Sequence, residues 1–185
     1  VAKLPHFTRY RERRGRKRFL TPDEEASLYE MMSRCGYELA RWRCQFMIYT
    51  GARDGEVRNL SWDDISDGNV ILDGKTGPRG IRMPQKAAEA VAWSRSQGHL
   101  KPFPISYRGF KDQWDDVAEK LGYGDDPTWV PYVMRHTCAS RLAQRGVDLF
   151  RIKEWMGHST IVTTQGYAHL LPRHLDAAAE ALDAA

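Results

Sequence analysis

Residues 135–170 read RHTCASRLAQRGVDLFRIKEWMGHSTIVTTQGYAHL. Helical patterning runs through most of this stretch: one helix over about 131–145, a turn at Gly146, a second helix over about 148–156, and a weaker one over 160–170. A Gly157-His158 turn leads into a small polar run, and nine residues after His158 stands Tyr167. Gly166 sits immediately before that tyrosine, and a glycine costs a helix about 1 kcal/mol relative to alanine. The last segment is therefore expected to be loosely held.

The same periodicity extends upstream. In FLTPDEEASL, Thr21 suits an N-cap, Pro22 the first helical position, and Glu24 completes a T-x-x-E capping box. A second helix over about 37–50 stops at Gly51, and a short one follows over 54–60. NVILDGKTGPRGIRMP then changes character: a β-branched run, a Gly-rich turn and a second short run ending at Pro84 predict a hairpin. Helices over about 85–96 and 106–121 follow, and the chain closes on an Ala-rich helical tail, HLDAAAEALDAA. The fold class is α+β, mostly α-helical with a small antiparallel sheet near the middle.

At 185 residues the chain is one domain's worth, and 42% hydrophobic with 28% charged residues is ordinary for a globular protein. No apolar run approaches the roughly 18 residues a membrane helix needs, and no signal peptide is visible. Val1 in place of an initiator methionine reads as a fragment or a processed chain. Cys35, Cys44 and Cys138 form no C-x-x-C pair, which argues against structural zinc or a disulfide framework and for a reducing cytoplasm. The net charge of +4 is unevenly spread. The first 20 residues hold eight Lys or Arg against Glu12 alone, so the remainder is net acidic. Such a leading tail is either a solvated basic arm or a segment laid on a phosphate backbone, where each cation releases counterions.

Several residues have chemical potential. Arg53 and Glu56 are three apart at the start of a helix, where the carboxylate orients the guanidinium unless the pair is a plain surface salt bridge. Lys75 and Arg79 lie in or beside the hairpin turn, where exposed basic residues are commonplace. Tyr132 and Arg135 share a helix face. His136 is next to Arg135 and points elsewhere, and its plainer reading is a packed, hydrogen-bonded histidine rather than a catalytic one. The acidic pairs Asp63-Asp64, Asp115-Asp116 and Asp125-Asp126 are sequence neighbours whose side chains tend to diverge, which suits a metal cage poorly. Taken together, the set is a kit for phosphate chemistry without metal or cofactor. Arg53 and Arg135 would bind phosphoryl oxygens, Lys75 donate a proton, His158 hydrogen-bond, and Tyr167 attack.

Four blocks in order, RFLTPDEEASL, TGARDGEVRNLSWDDI, GKTGPRGIRMP and the stretch quoted at the outset, resemble the catalytic domain of tyrosine recombinases, the phage integrase family. The combination T-G-x-R, R-H-T, G-H and T-T-x-x-Y carries the likeness over roughly residues 18–171. The resemblance implies that Arg53 and Arg135 are the catalytic arginines, Lys75 the hairpin lysine, His158 the histidine of the Gly-His turn and Tyr167 the nucleophile. It implies cleavage and rejoining of double-stranded DNA through a 3′-phosphotyrosine, with no ATP, in the cytoplasm of a bacterial host if phage-encoded. One position departs: the family usually reads H-x-x-R, and here Tyr132 precedes Arg135. The Tyr132 phenol can still hydrogen-bond the phosphate or the nucleophile and stays a catalytic candidate. At a reference pKa of about 10 it is a poorer proton shuttle than an imidazole at about 6.5, so either His158 carries more of the proton traffic or the enzyme is slower. By the same resemblance, residues 1–18 are a basic interdomain linker, with Arg11, Arg13, Arg14, Arg16, Lys17 and Arg79 candidates for the DNA backbone. Residues 19–171 are the catalytic domain, an upstream core-binding domain is absent, and 172–185 form a C-terminal tail that docks on a neighbouring protomer. The family assembles as a tetramer on DNA; the chain alone is expected to be a monomer that binds DNA weakly. The segment 139–170 also scans as a helix-turn-helix of a non-enzymatic regulator, and a type IB topoisomerase shares the chemistry.

Overall fold

The computed structural model describes residues 18–172 and residue 183. The linker candidates Arg11, Arg13, Arg14, Arg16 and Lys17 and nearly all of the C-terminal tail lie outside the described residues.

Helix α1 (Pro22–Arg34) starts as the sequence expects: Thr21 Oγ1 accepts from the Glu24 amide and the Glu24 side chain accepts from the Thr21 amide. Arg18, just ahead, belongs to the folded body. It bonds Glu24 and Asp126 and lies over the rings of Tyr123 and Trp129. Helix α2 (Glu38–Thr50) runs through the middle of the molecule and buries residues on every side, including Phe46, Met47 and Ile48. Its periodicity is weak for that reason, since a helix covered all round needs no polar face. The one buried charge on it, Arg43, is paired with Asp54 and lies over the Phe110 ring. Gly51 ends α2 in the left-handed region at φ +68°, where a side chain would be strained.

Helix α3 (Asp54–Asn59) leads into a three-stranded antiparallel sheet: β1 (Ile65–Ser66), β2 (Asn69–Gly74) and β3 (Gly77–Arg82). The expected hairpin is β2–β3. β1 escapes sequence reading because two residues are too few to show alternation. The register pairs Val70 with Ile81 and Leu72 with Arg79. Residues directly opposite share a face, so Arg79 lies on the inner face with buried Leu72, not on the outer one.

Helices α4 (Gln85–Ser96) and α5 (Tyr107–Lys120) complete the main core with Phe103, Phe110, Trp114 and Val117. A second, smaller cluster joins α6 (Val133–Gln144), α7 (Leu149–Met156) and the segment after it: Cys138, Ala139, Ala143, Ile152, Met156 and Tyr167. The expected weak helix over 160–170 is split into a one-turn α8 (Ile161–Gln165) and a 3-10 turn over Ala168–Leu170, interrupted at Gly166 and Tyr167.

Candidate active site

The site is built around the C-terminal end of α7. The last carbonyls of any helix lack intrahelical donors and sit at the negative end of its dipole, so they attract cations. Here three guanidinium groups take them in succession. Arg79 Nε donates to the Trp155 carbonyl at 2.8 Å, Arg135 Nη2 to that of Met156, and Arg53 Nη2 to that of Gly157 at 3.0 Å. Thr76, in the β2–β3 turn, also reaches the Gly157 carbonyl, at 3.2 Å. Arg135 Nη1 meanwhile donates to the carbonyl of Gly51. Gly157 adopts φ +59°, and a Cβ there would lie 2.9 Å from Arg79 Cδ. Glycine is therefore needed both for the turn and for the approach of Arg79.

Glu56 ties the basic groups together. Its carboxylate, almost fully buried, accepts from the Arg53 amide and Arg53 Nη1 at 2.7 Å, and from Arg79 Nη1 at 2.7 Å and Nη2 at 3.1 Å. Glu56 thus lies where an orienting residue for Arg53 is expected. Arg79 corrects the expectation placed on it. Its nitrogens are spent on Glu56 and Trp155, and its side chain is only 10% exposed. It organises the site from within, because the strand register turns it inward and not outward, where a DNA-backbone contact is expected.

Arg53 and Arg135 face one cavity of about 310 Å³, whose walls include Tyr107, Pro131 and Tyr132. Arg53 also borders a second cavity of about 560 Å³, shared with Lys75 and Gly74. Arg53 is the link between them, half-buried while Arg135 is wholly buried. Burial first, and then the positive charge of Arg53, pull the Arg135 guanidinium below its usual range. Its Nε is buried without a hydrogen-bond partner among the described residues, and such an orphan donor costs about 1–3 kcal/mol. Crowded guanidinium groups with an unmet donor suit an oxyanion. Lys75 is exposed at the tip of the hairpin.

His158, next after the α7 cap, is buried with Nδ1 2.9 Å from Thr164 Oγ1, which ties the Gly-His turn to α8. Tyr167 is buried, at 2% exposure. Burial, and next the nearby Tyr132, push its phenol well above the ordinary value, with Arg135 opposing. Tyr132 is not within α6 but is its N-cap, 47% exposed, with its ring edge-on to His136 at 4.8 Å. It borders the arginine cavity with Arg135.

His136 is the residue that sequence reading undervalued. Its Nδ1 lies 2.6 Å from Tyr167 Oη. It is packed and hydrogen-bonded, as its plainer reading has it, but the atom it holds is the phenol oxygen of Tyr167. The available signal was positional: one residue beyond Arg135 is a turn of about 100° around the helix, toward the other neighbour of α6. At least one carboxylate of each acidic pair has a structural partner, Asp64 accepting from Ser61, Asp116 from Tyr37 and Lys120, Asp126 from Arg18 and Thr128. The α6–turn–α7 unit has helix-turn-helix form, yet the carbonyl end of α7 is committed to arginines far away in sequence.

The phage integrase family model matches residues 18–174. The chain is 32% identical over 171 residues to the tyrosine recombinase XerD of Halalkalibacterium halodurans, covering 82% of this chain and 56% of that protein. It is 28% identical over 131 residues to the integrase of Haemophilus phage HP1, covering 71% of this chain and 37% of that one. The chain thus spans about half the length of the curated relatives it matches. Among solved structures, the catalytic domain of bacteriophage HP1 integrase superposes with a TM-score of 0.71 at 21% identity, over 88% of this chain and 94% of that one. The Tn1549 transposon integrase in complex with circular intermediate DNA gives a TM-score of 0.71 at 21% identity, over 91% of this chain and 67% of that one. These likenesses establish a shared fold, and among the described residues no helix is long and apolar enough to cross a membrane. With Arg53 and Arg135 meeting at one helix end, and a family model matched over nearly the whole length, the chain belongs to the phage integrase family.

Proposed function

We propose that the chain is the catalytic part of a site-specific DNA recombinase that cuts and rejoins strands through a phosphotyrosine at Tyr167. The observation that carries this reading is the meeting of Arg53 and Arg135 at the end of α7, both facing one cavity. The two guanidinium groups bind the non-bridging oxygens of a phosphodiester and stabilise the charge that builds as phosphorus gains a fifth oxygen, the electrostatic contribution that is usually largest. Their positive charge takes the electrophilic part without a metal. Tyr167 Oη attacks, leaving a 3′-phosphotyrosine, and Lys75 protonates the departing 5′ oxygen. His158 steadies the turn between α7 and α8 and the phosphate beside it, and the Tyr132 phenol reaches toward the same phosphate. One phosphoester replaces another, so no ATP is consumed.

Duplex DNA as substrate is supported by the basic residues of the leading segment and by the solved complex of the Tn1549 integrase with DNA. Tyr167 is buried, so the segment carrying it must shift for attack. The short α8 and the break at Gly166 make that shift inexpensive. Further protomers join on DNA, while the chain alone is a monomer with weak, salt-sensitive binding.

A nicked suicide duplex tests the reading, because loss of the short 5′ fragment traps the cleaved state. Wild type is expected to become covalently attached to DNA in a band resistant to denaturing detergent, and Tyr167→Phe to give none. Equal attachment by both proteins, or none by wild type, would overturn it.

A further inference from the structure

We infer that His136 is the general base that takes the proton from Tyr167 during cleavage, in a chain where the usual histidine three residues before the second arginine is replaced by Tyr132. The inference rests on the recombinase reading above and adds a catalytic residue to it. The site needs a proton acceptor at one particular atom, since burial raises the Tyr167 phenol above its ordinary value and leaves the free phenolate scarce at neutral pH. A positioned acceptor must lie within about 2.6–3.2 Å of the proton's oxygen. His136 Nδ1 is 2.6 Å from Tyr167 Oη, and the inference requires the imidazole to stay with this oxygen as the tyrosine segment shifts toward the phosphate.

Helix α6 explains how one short segment divides the work. Arg135 turns toward the end of α7 and the Gly51 carbonyl. His136, one residue on, turns toward Tyr167, with ring centroids 6.0 Å apart. Tyr132 is one helical turn before His136 and shares its side of the helix. Its ring stands edge-on to the imidazole at 86° and 4.8 Å. Tyr132 therefore braces the imidazole, and the imidazole does the proton chemistry that a phenol of reference pKa about 10 does poorly at pH 7.

The step balances. A neutral His136 with its proton on Nε2 offers Nδ1 as acceptor. The Oη–H proton passes to Nδ1 as the oxygen bonds to phosphorus, and the P–O5′ bond breaks as Lys75 gives a proton to O5′. One imidazole becomes imidazolium and one ammonium becomes amine. Rejoining runs the same transfers backwards: Lys75 takes the proton of the attacking 5′-hydroxyl and His136 returns its own to the tyrosine oxygen.

The test compares wild type, Tyr167→Phe, His136→Asn and Lys75→Ala on two suicide duplexes. One carries a natural phosphodiester at the cleavage site and the other a sulfur in the bridging 5′ position. Asparagine keeps an acceptor oxygen near the place of Nδ1, so it preserves the contact with Tyr167 but takes up no proton. General base loss is expected to slow adduct formation by about 100-fold or more, on both substrates alike, because a thiolate leaving group needs no protonation while the nucleophile still does. The Lys75→Ala defect should largely vanish on the sulfur substrate. Thermal denaturation and DNA retention of His136→Asn are expected to match wild type. Should asparagine not be tolerated, added imidazole must restore cleavage to His136→Gly, and failure to do so overturns the inference. Cleavage by His136→Asn within about threefold of wild type, or its recovery on the sulfur substrate as for Lys75→Ala, would also overturn it and leave the recombinase reading intact. No adduct from wild type itself removes both.

Discussion

Replacing Glu56 by Gln gives the sharpest test of how the arginines are held. The carboxylate receives four hydrogen bonds, two on each oxygen, from Arg53 and Arg79. Glutamine has one carbonyl oxygen, so it keeps two of them and turns an NH2 group toward two donors. Each lost bond to a charged partner is worth about 1.5–3 kcal/mol, and removing one member of a buried ion pair costs about 3–5 kcal/mol. A loss of about 3–5 kcal/mol is therefore expected, a large part of the roughly 5–15 kcal/mol that holds a domain together. Urea unfolding at pH 7 reads this directly, as a midpoint lowered by roughly 2 M if the slope is about 2 kcal/mol/M.

The loss also has a pH signature. Burial is the largest single influence on the Glu56 carboxyl and pushes its pKa up, but the hydrogen bonds from Arg79 and Arg53 together outweigh it and leave the group below the usual range. An acid whose folded pKa is depressed contributes stability fully above its unfolded pKa, about 4.3, and loses that contribution as pH falls toward the folded value. The difference between wild type and Glu56→Gln should thus be widest at neutral pH and shrink below about pH 4. A difference under about 1 kcal/mol at pH 7, or one that stays constant into acid, would show that Glu56 is not the anchor described.

Gly157→Ala is expected to lose about 1–3 kcal/mol in thermal unfolding, from the left-handed backbone and the close approach of Arg79 Cδ; an unchanged melting temperature would deny that the turn is so tightly specified. Arg79→Gln should lower stability and leave the salt dependence of DNA binding unchanged, because its guanidinium is directed inward. Lys75→Gln should do the reverse, shifting stability by no more than about 0.5 kcal/mol and lowering the slope of log K against log salt by about 1; the opposite pattern would put Arg79 on the DNA.

What the sequence determined by itself is local. The T-x-x-E box starts α1, Gly51 ends α2, the Gly-rich turn joins β2 to β3, and the signature residues Arg53, Arg135, His158 and Tyr167 stand in family order. Such signals act over a few residues, where a cap or a turn is chosen by the side chains beside it. The tertiary structure alone decided which distant groups meet. No periodicity announces that Arg53, Arg79 and Arg135, from three separate parts of the chain, supply donors to the last two carbonyls of α7 and that of its C-cap Gly157. Nor does any local pattern turn Arg79 inward or bring His136 against Tyr167, because strand register and helix packing set those directions. The carbonyls at a helix end need donors from somewhere, and only the folded chain determines which side chains come within reach.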